Sequence, residues 1–154
     1  MDDTVYPWGR GTVKVAYDAT PNQSDRTVYT VPEGKIAVPI SLEAQLTASG
    51  TVGNRSLACV ITDGTNLIFA SVVTGNLPAN QIGRLQLMSG VTNNCTVLLH
   101  MTTFTTNVNT SMTTGWSRNL VLPAGSTVRV LDRSAIDVAA DDLVTSFTYM
   151  EYDA

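Results

Sequence analysis

A chain of 154 residues is the size of one ordinary domain and long enough to hold a core without metal or disulfide staples. Hydrophobic residues make up 44%, which excludes global disorder, and charged residues only 14%, against roughly 25% in an average soluble protein. The 9 Lys+Arg against 13 Asp+Glu leave a net charge of −4, which argues against a nucleic-acid grip, since that needs clustered cations to displace counterions.

Thr and Val supply about a quarter of the chain, a β-forming bias. With 2 Lys and 3 Glu, long amphipathic helices have little to be built from. Met1-Asp2-Asp3-Thr4 is neither cationic nor followed by an apolar run, so no secretory signal is expected. No apolar stretch is long enough for a membrane span.

Residues 1–25 hold Tyr6-Pro7-Trp8-Gly9, a short β-like run Thr12–Tyr17, and the turn-rich polar stretch Asp18–Asp25. They read as an N-terminal arm with one strand, or as an ordinary first strand of the body. Residues 26–154 form the main domain. Arg26–Val31 is a strand, and Pro32-Glu33-Gly34 places Pro second and Gly fourth, as a type I turn prefers. From Ile36 to Ala48 the even positions are apolar, while Ser41, Glu43, Gln45 and Thr47 are polar, the period of a half-buried strand. Pro39 removes a ladder donor there and points to an edge position or a bulge.

Further strands are expected at Ser56–Thr62, Leu67–Val73, Gln81–Met88, Cys95–Met101, Trp116–Leu122, Thr127–Leu131 and Leu143–Tyr152. Asp63-Gly64-Thr65-Asn66 reads as a hairpin turn. Thr102–Gly115 reads as a long loop or exposed hairpin, and Asp132–Asp142 as a loop or one helical turn. Pro123-Ala124-Gly125 repeats the form of Pro32-Glu33-Gly34, and the two are candidates for related corners. The expected fold is therefore all-β: an antiparallel β-sandwich, jelly-roll-like, with an N-terminal arm and under ~10% helix.

No constellation for catalysis stands out. His100, the single histidine, lies in an apolar run without a Gly-x-Ser-x-Gly nucleophile signature. One His with the separated Cys59 and Cys95 does not reproduce a zinc ligand set. The cysteines read as two reduced core thiols, a bridge between them being the alternative. Asp132, Asp137, Asp141 and Asp142 match no EF-hand loop and read as turn and capping residues. No cofactor or metal is expected. Trp8 and Trp116 read as core or interface anchors rather than a sugar platform, and the seven scattered arginines as surface partners of Asp residues or of another subunit.

Partner contacts are expected instead. Tyr6 and Trp8 flank Pro7 in a segment that looks detachable. Val13 and Val15 suit an added edge strand, and Phe104 and Met112 sit in a polar segment that suits packing between subunits.

Tyr29-Thr-Val-Pro-Glu-Gly-Lys35, Thr51-Val-Gly-Asn-Arg-Ser56, Val60-Ile-Thr-Asp-Gly64, Leu122-Pro-Ala-Gly-Ser-Thr-Val-Arg-Val130, Ile136-Asp137 and Ala140-Asp-Asp142, in that order, resemble small β-rich structural proteins of tailed bacteriophages. The resemblance runs from about Arg26 to Tyr152. It implies a non-enzymatic virion component assembled in the host bacterial cytoplasm, without catalytic residues. A capsid decoration (cement) protein fits, bound to the major capsid protein as a homotrimer. A neck, tail or fibre component is the alternative, and a carbohydrate-binding β-sandwich module is the competing class.

Overall fold

The computed structural model describes residues 10–72, 77–89, 95–99, 108–112, 119–134 and 136–154. Among these there is no helix, and none long and apolar enough to cross a membrane. The described residues form ten strands: β1 (Thr12–Asp18), β2 (Asp25–Thr30), β3 (Lys35–Thr47), β4 (Leu57–Thr62), β5 (Leu67–Val72), β6 (Ile82–Met88), β7 (Cys95–Leu99), β8 (Val108–Met112), β9 (Thr127–Asp132) and β10 (Asp142–Asp153).

They make two antiparallel four-stranded sheets, ordered β1-β10-β3-β6 and β2-β9-β4-β5, and a β7-β8 pair inserted between β6 and β9. The chain changes sheet at β1 to β2, β2 to β3, β3 to β4, β5 to β6 and β9 to β10, while β4 and β5 form a hairpin. The inner faces meet in one apolar core. Leu42, Ala44 and Leu46 of β3, Leu85 and Leu87 of β6, and Leu143 and Phe147 of β10 pack against Cys59 and Ile61 of β4 and Val128 and Val130 of β9. Along β6, β9 and β10 these residues alternate with more exposed ones, as a sandwich requires.

The even-position alternation holds from Leu42 to Ala48 and fails before it. The β10 ladder jumps from Ser41 to Pro39, so Ile40 is an extra residue. A bulge of this kind reverses the inside–outside phase. Ala37 accordingly becomes core, and Ile36 and Ile40 are only half-buried. The irregularity at Pro39 is thus a bulge in an inner strand, at a stretch that β6, paired only from Ser41 to Thr47, does not reach.

Both Pro-x-Gly segments are turns, one residue later than a Pro-second reading places them. The Lys35 amide donates to the Pro32 carbonyl (3.2 Å), and the Ser126 amide to that of Pro123 (3.1 Å). Each glycine is therefore third in its turn, where Gly34 has φ +69° and Gly125 φ +84°, the position that needs positive φ in a type II turn. The corners also bind each other. The Val31 amide donates to Ser126 (2.9 Å), the Gly125 amide to Val31 (2.9 Å), and Ala37 and Leu122 exchange two further bonds. That last pairing is an isolated bridge. The strand expected at Trp116–Leu122 is absent over residues 119–122, because Leu122 is spent on docking this corner into the core.

Residues 18–25 do not hang free. The Leu143 amide donates to the Gln23 carbonyl (2.9 Å), the Asn22 amide to Asp142 (2.5 Å), and buried Arg26 pairs with Asp18 and the Thr20 carbonyl. These bonds carry the chain from β1 across the end of the sandwich to β2.

Candidate functional site

The arginines do not all lie at the surface. Arg55 is fully buried, and all five of its N–H groups have acceptors. Nε and Nη2 grip the two Asp141 carboxylate oxygens at 2.8 and 3.0 Å. Nη2 also donates to Ser49 Oγ (3.0 Å), and Nη1 to the carbonyls of Thr51 (3.0 Å) and Gly53 (3.2 Å). Asp141 accepts the Ser49 amide as well (2.7 Å), and Asp137 takes the hydroxyls of Ser49 (2.8 Å) and Thr51 (2.5 Å). Burial raises the Asp141 carboxyl, but the Arg55 and Ser49 hydrogen bonds outweigh it and hold the group below the ordinary carboxylate range. The two hydroxyls hold Asp137 low too. This knot ties the β3–β4 loop to the β9–β10 loop. It is a structural clamp with no spare donor for a ligand. Asp132 does capping work, accepting the amides of Ser56 and Ser134.

Cys59 is a free thiol in the core, and burial pushes it up to about 12. Cys95 begins β7.

The accessible chemistry lies on the outer face of the β1-β10-β3-β6 sheet. β1 pairs with β10 over all seven of its residues and is the outermost strand of that sheet. Its even side faces inward. Ala16 packs on the core, and Lys14 pairs with Glu151 (2.6 Å), which also accepts the Tyr29 hydroxyl (3.1 Å). The Tyr29 ring lies tilted against Tyr149, centroids 4.1 Å apart, beside Phe147, and burial raises its phenol well above the ordinary range. The odd side faces out: Val13, Val15 and Tyr17 are 56%, 60% and 68% exposed.

The ladders line side chains up across this face. Tyr17 stands opposite Ser146, Ser146 opposite Glu43, and Glu43 opposite Gln86, one rung through all four strands. The next rung runs Val144, Gln45, Arg84. Gln86 donates to Glu43 (3.2 Å), and Arg84 Nε to Gln45 (3.0 Å). Because Val144 and Ser146 are short, β10 forms the floor of a depression of about 360 Å³, with Tyr17 as one wall and the β3–β6 polar groups as the other.

Of the expected contact residues, the structure places Val13 and Val15 side by side on this face. Met112 ends β8 opposite Cys95, in the segment read as a loop or exposed hairpin. Tyr6, Trp8 and Phe104 lie outside the described residues, as do His100 and Trp116. Tyr17, Arg84, Gln86 and Ser146 were not singled out by the sequence. The alternation marked Glu43 and Gln45 as the wet side of β3, but only the strand order shows which residues stand beside them. Among the described residues no cluster of His, Cys, Asp and Glu is arranged to hold a metal ion.

No family model matches the chain, and no curated protein does. Among solved structures, it is similar to two crystal structures of a pentameric capsid protein isolated from metagenomic phage sequences, each at 13% identity and a TM-score of 0.28 over 90% of this chain. The chain spans 61% of the length of the first and 67% of the second. It is also similar to dimeric latent PorU from Porphyromonas gingivalis, at 10% identity and a TM-score of 0.37, covering 93% of this chain and 13% of that one. Likenesses at these TM-scores do not bear on function.

Proposed function

We propose that this chain is a non-enzymatic structural component of a phage virion, a decoration protein that binds the outer capsid surface. The observation that carries the reading is the outermost strand β1. It leaves one backbone edge without a strand partner among the described residues and shows Val13 and Val15 more than half exposed beside it. Such an edge invites strand addition by another protein, and the lysine on it, Lys14, is drawn into an ion pair with Glu151. The order of phage-like motifs from Arg26 to Tyr152 supports the same reading. Those motifs build the two mutually bonded corners and the Arg55–Asp141 clamp, a stiff platform for the exposed edge. The strand order, with β7-β8 set aside, favours a jelly roll: two four-stranded sheets joined by crossing connections.

In this account the major capsid protein is the partner, three copies assemble as a homotrimer, and residues 1–25 with Tyr6 and Trp8 extend the contact. Phe104 and Met112 lie in the segment that meets a neighbouring copy. Weak individual contacts suffice, since a shell repeats them many times. The test is to mix the purified chain with empty shells assembled from the major capsid protein of the same genome and to sediment them. Saturable co-sedimentation supports the proposal. Binding to purified tails alone replaces it with the neck, tail or fibre reading.

A further inference from the structure

We infer that the depression on the outer face of the β1-β10-β3-β6 sheet binds a short, neutral oligosaccharide. Its two walls differ in kind. On one side the Tyr17 ring stands 68% exposed on the outermost strand. An aromatic face left in water at the rim of a depression suits the C–H face of a sugar ring, which an apolar plane covers without desolvating hydroxyls. On the other side Glu43, Gln45, Arg84 and Gln86 form two hydrogen-bonded cross-strand pairs. These are planar groups with paired donors or acceptors, able to meet two neighbouring hydroxyls at once. Each pair fixes its members in place before a ligand arrives, which lowers the ordering cost of binding. The small Ser146 between the walls leaves the room a ring needs.

The alternatives fit less well. β10 and β3 are paired on both sides, so the floor offers no free backbone for an extended peptide to join. Glu43 and Arg84 carry opposite charges, so the site has no net attraction for a polyanion such as nucleic acid or an acidic glycan. At strand spacings of about 4.8 Å the four-strand rung is roughly 14 Å wide, which suits a ligand longer than one sugar. The inference does not rest on the capsid proposal: Tyr17 shares the exposed face of β1 with Val13 and Val15, but the floor and the polar wall come from β10, β3 and β6.

The test is affinity electrophoresis of the full chain in gels containing starch, mannan, xylan or mixed-linkage β-glucan, with alginate as the polyanion. Retardation is expected in at least one neutral gel. Tyr17→Ala should weaken it tenfold or more, Glu43→Gln and Arg84→Ala several-fold, while Tyr17→Phe retains it and Val13→Lys leaves it unchanged. All four positions are exposed, and matching melting curves check that the five variants fold. No retardation in any neutral gel, retardation in alginate alone, or retardation indifferent to Tyr17→Ala overturns the inference. So does a wild-type oligomer that Tyr17→Ala dissociates without changing retardation, which makes the face a contact between copies.

Discussion

Arg55 and Asp141 stand 86 positions apart in sequence and meet as a two-point ion pair with both side chains fully buried. Burying two charges is costly, and their attraction offsets that only when every remaining donor and lone pair is bonded. Here Ser49, Thr51 and Gly53 complete the set. Removing one partner leaves a buried charge alone. Asp141→Asn or Arg55→Met should each destabilise the fold by about 3–5 kcal/mol, and the double variant by less than the sum. Urea unfolding of the four proteins measures this; strictly additive effects would mean that the pair is not coupled.

Gly53 sits inside the same clamp. A Cβ there would come within 2.8 Å of Ile136 Cγ2 and 3.0 Å of Cγ1. The branched side chain must move as a whole, so Gly53→Ala should cost about 1–3 kcal/mol, the range for overpacking. Adding Ile136→Ala should return part of that, read as a rise in thermal midpoint over the single variant.

Acid should loosen the domain. The amide and hydroxyl of Thr20, then Arg26, hold the Asp18 carboxyl at about 2, against an ordinary 3.8. A depressed carboxylate contributes stability that is present above its unfolded value and lost as pH falls through the folded one. Its share should therefore disappear between about pH 4 and pH 2, with Asp137, Asp141 and Glu151 shifted in the same direction. Thermal midpoints should fall across this window. Asp18→Asn should start lower near neutral pH and converge with the wild type near pH 2; parallel curves would deny Asp18 the role.

The Cys59 thiol, raised to about 12 by burial, has almost no thiolate near neutral pH and no exposed surface. Iodoacetamide at pH 8 should leave the peptide containing Cys59 unmodified in the folded protein and label it fully in urea. Mass spectrometry of the digested chain checks it; labelling of the native protein would place the thiol outside the core.

Period-2 alternation and Pro/Gly punctuation made most strands and the two-layer class legible, because both act within a few residues. What stayed hidden depends on distant partners. The Ile40 bulge breaks the expected alternation before Ser41, and its register is set by β10, over a hundred residues away. Leu122 has the apolar pattern of a strand, but its bonds go to Ala37 as one bridge. Arg55 looked like one more scattered cation, because nothing local shows that Asp141 arrives beside it. The exposed face was half legible. Val13, Val15, Glu43 and Gln45 could be marked as strand positions, while the rung from Tyr17 to Gln86 exists only through the strand order.

The central claim is that the β1 edge and its exposed valines hold this chain on a capsid shell. The direct measurement is co-sedimentation with empty shells for the wild type and for Val13→Lys/Val15→Lys. Both positions are more than half exposed, so the pair of changes should leave the thermal midpoint within about 1 kcal/mol equivalent of the wild type. The account predicts that the wild type pellets with shells saturably, while the folded double variant stays in the supernatant. A double variant that pellets as well as the wild type, or a wild type that never pellets, would contradict it.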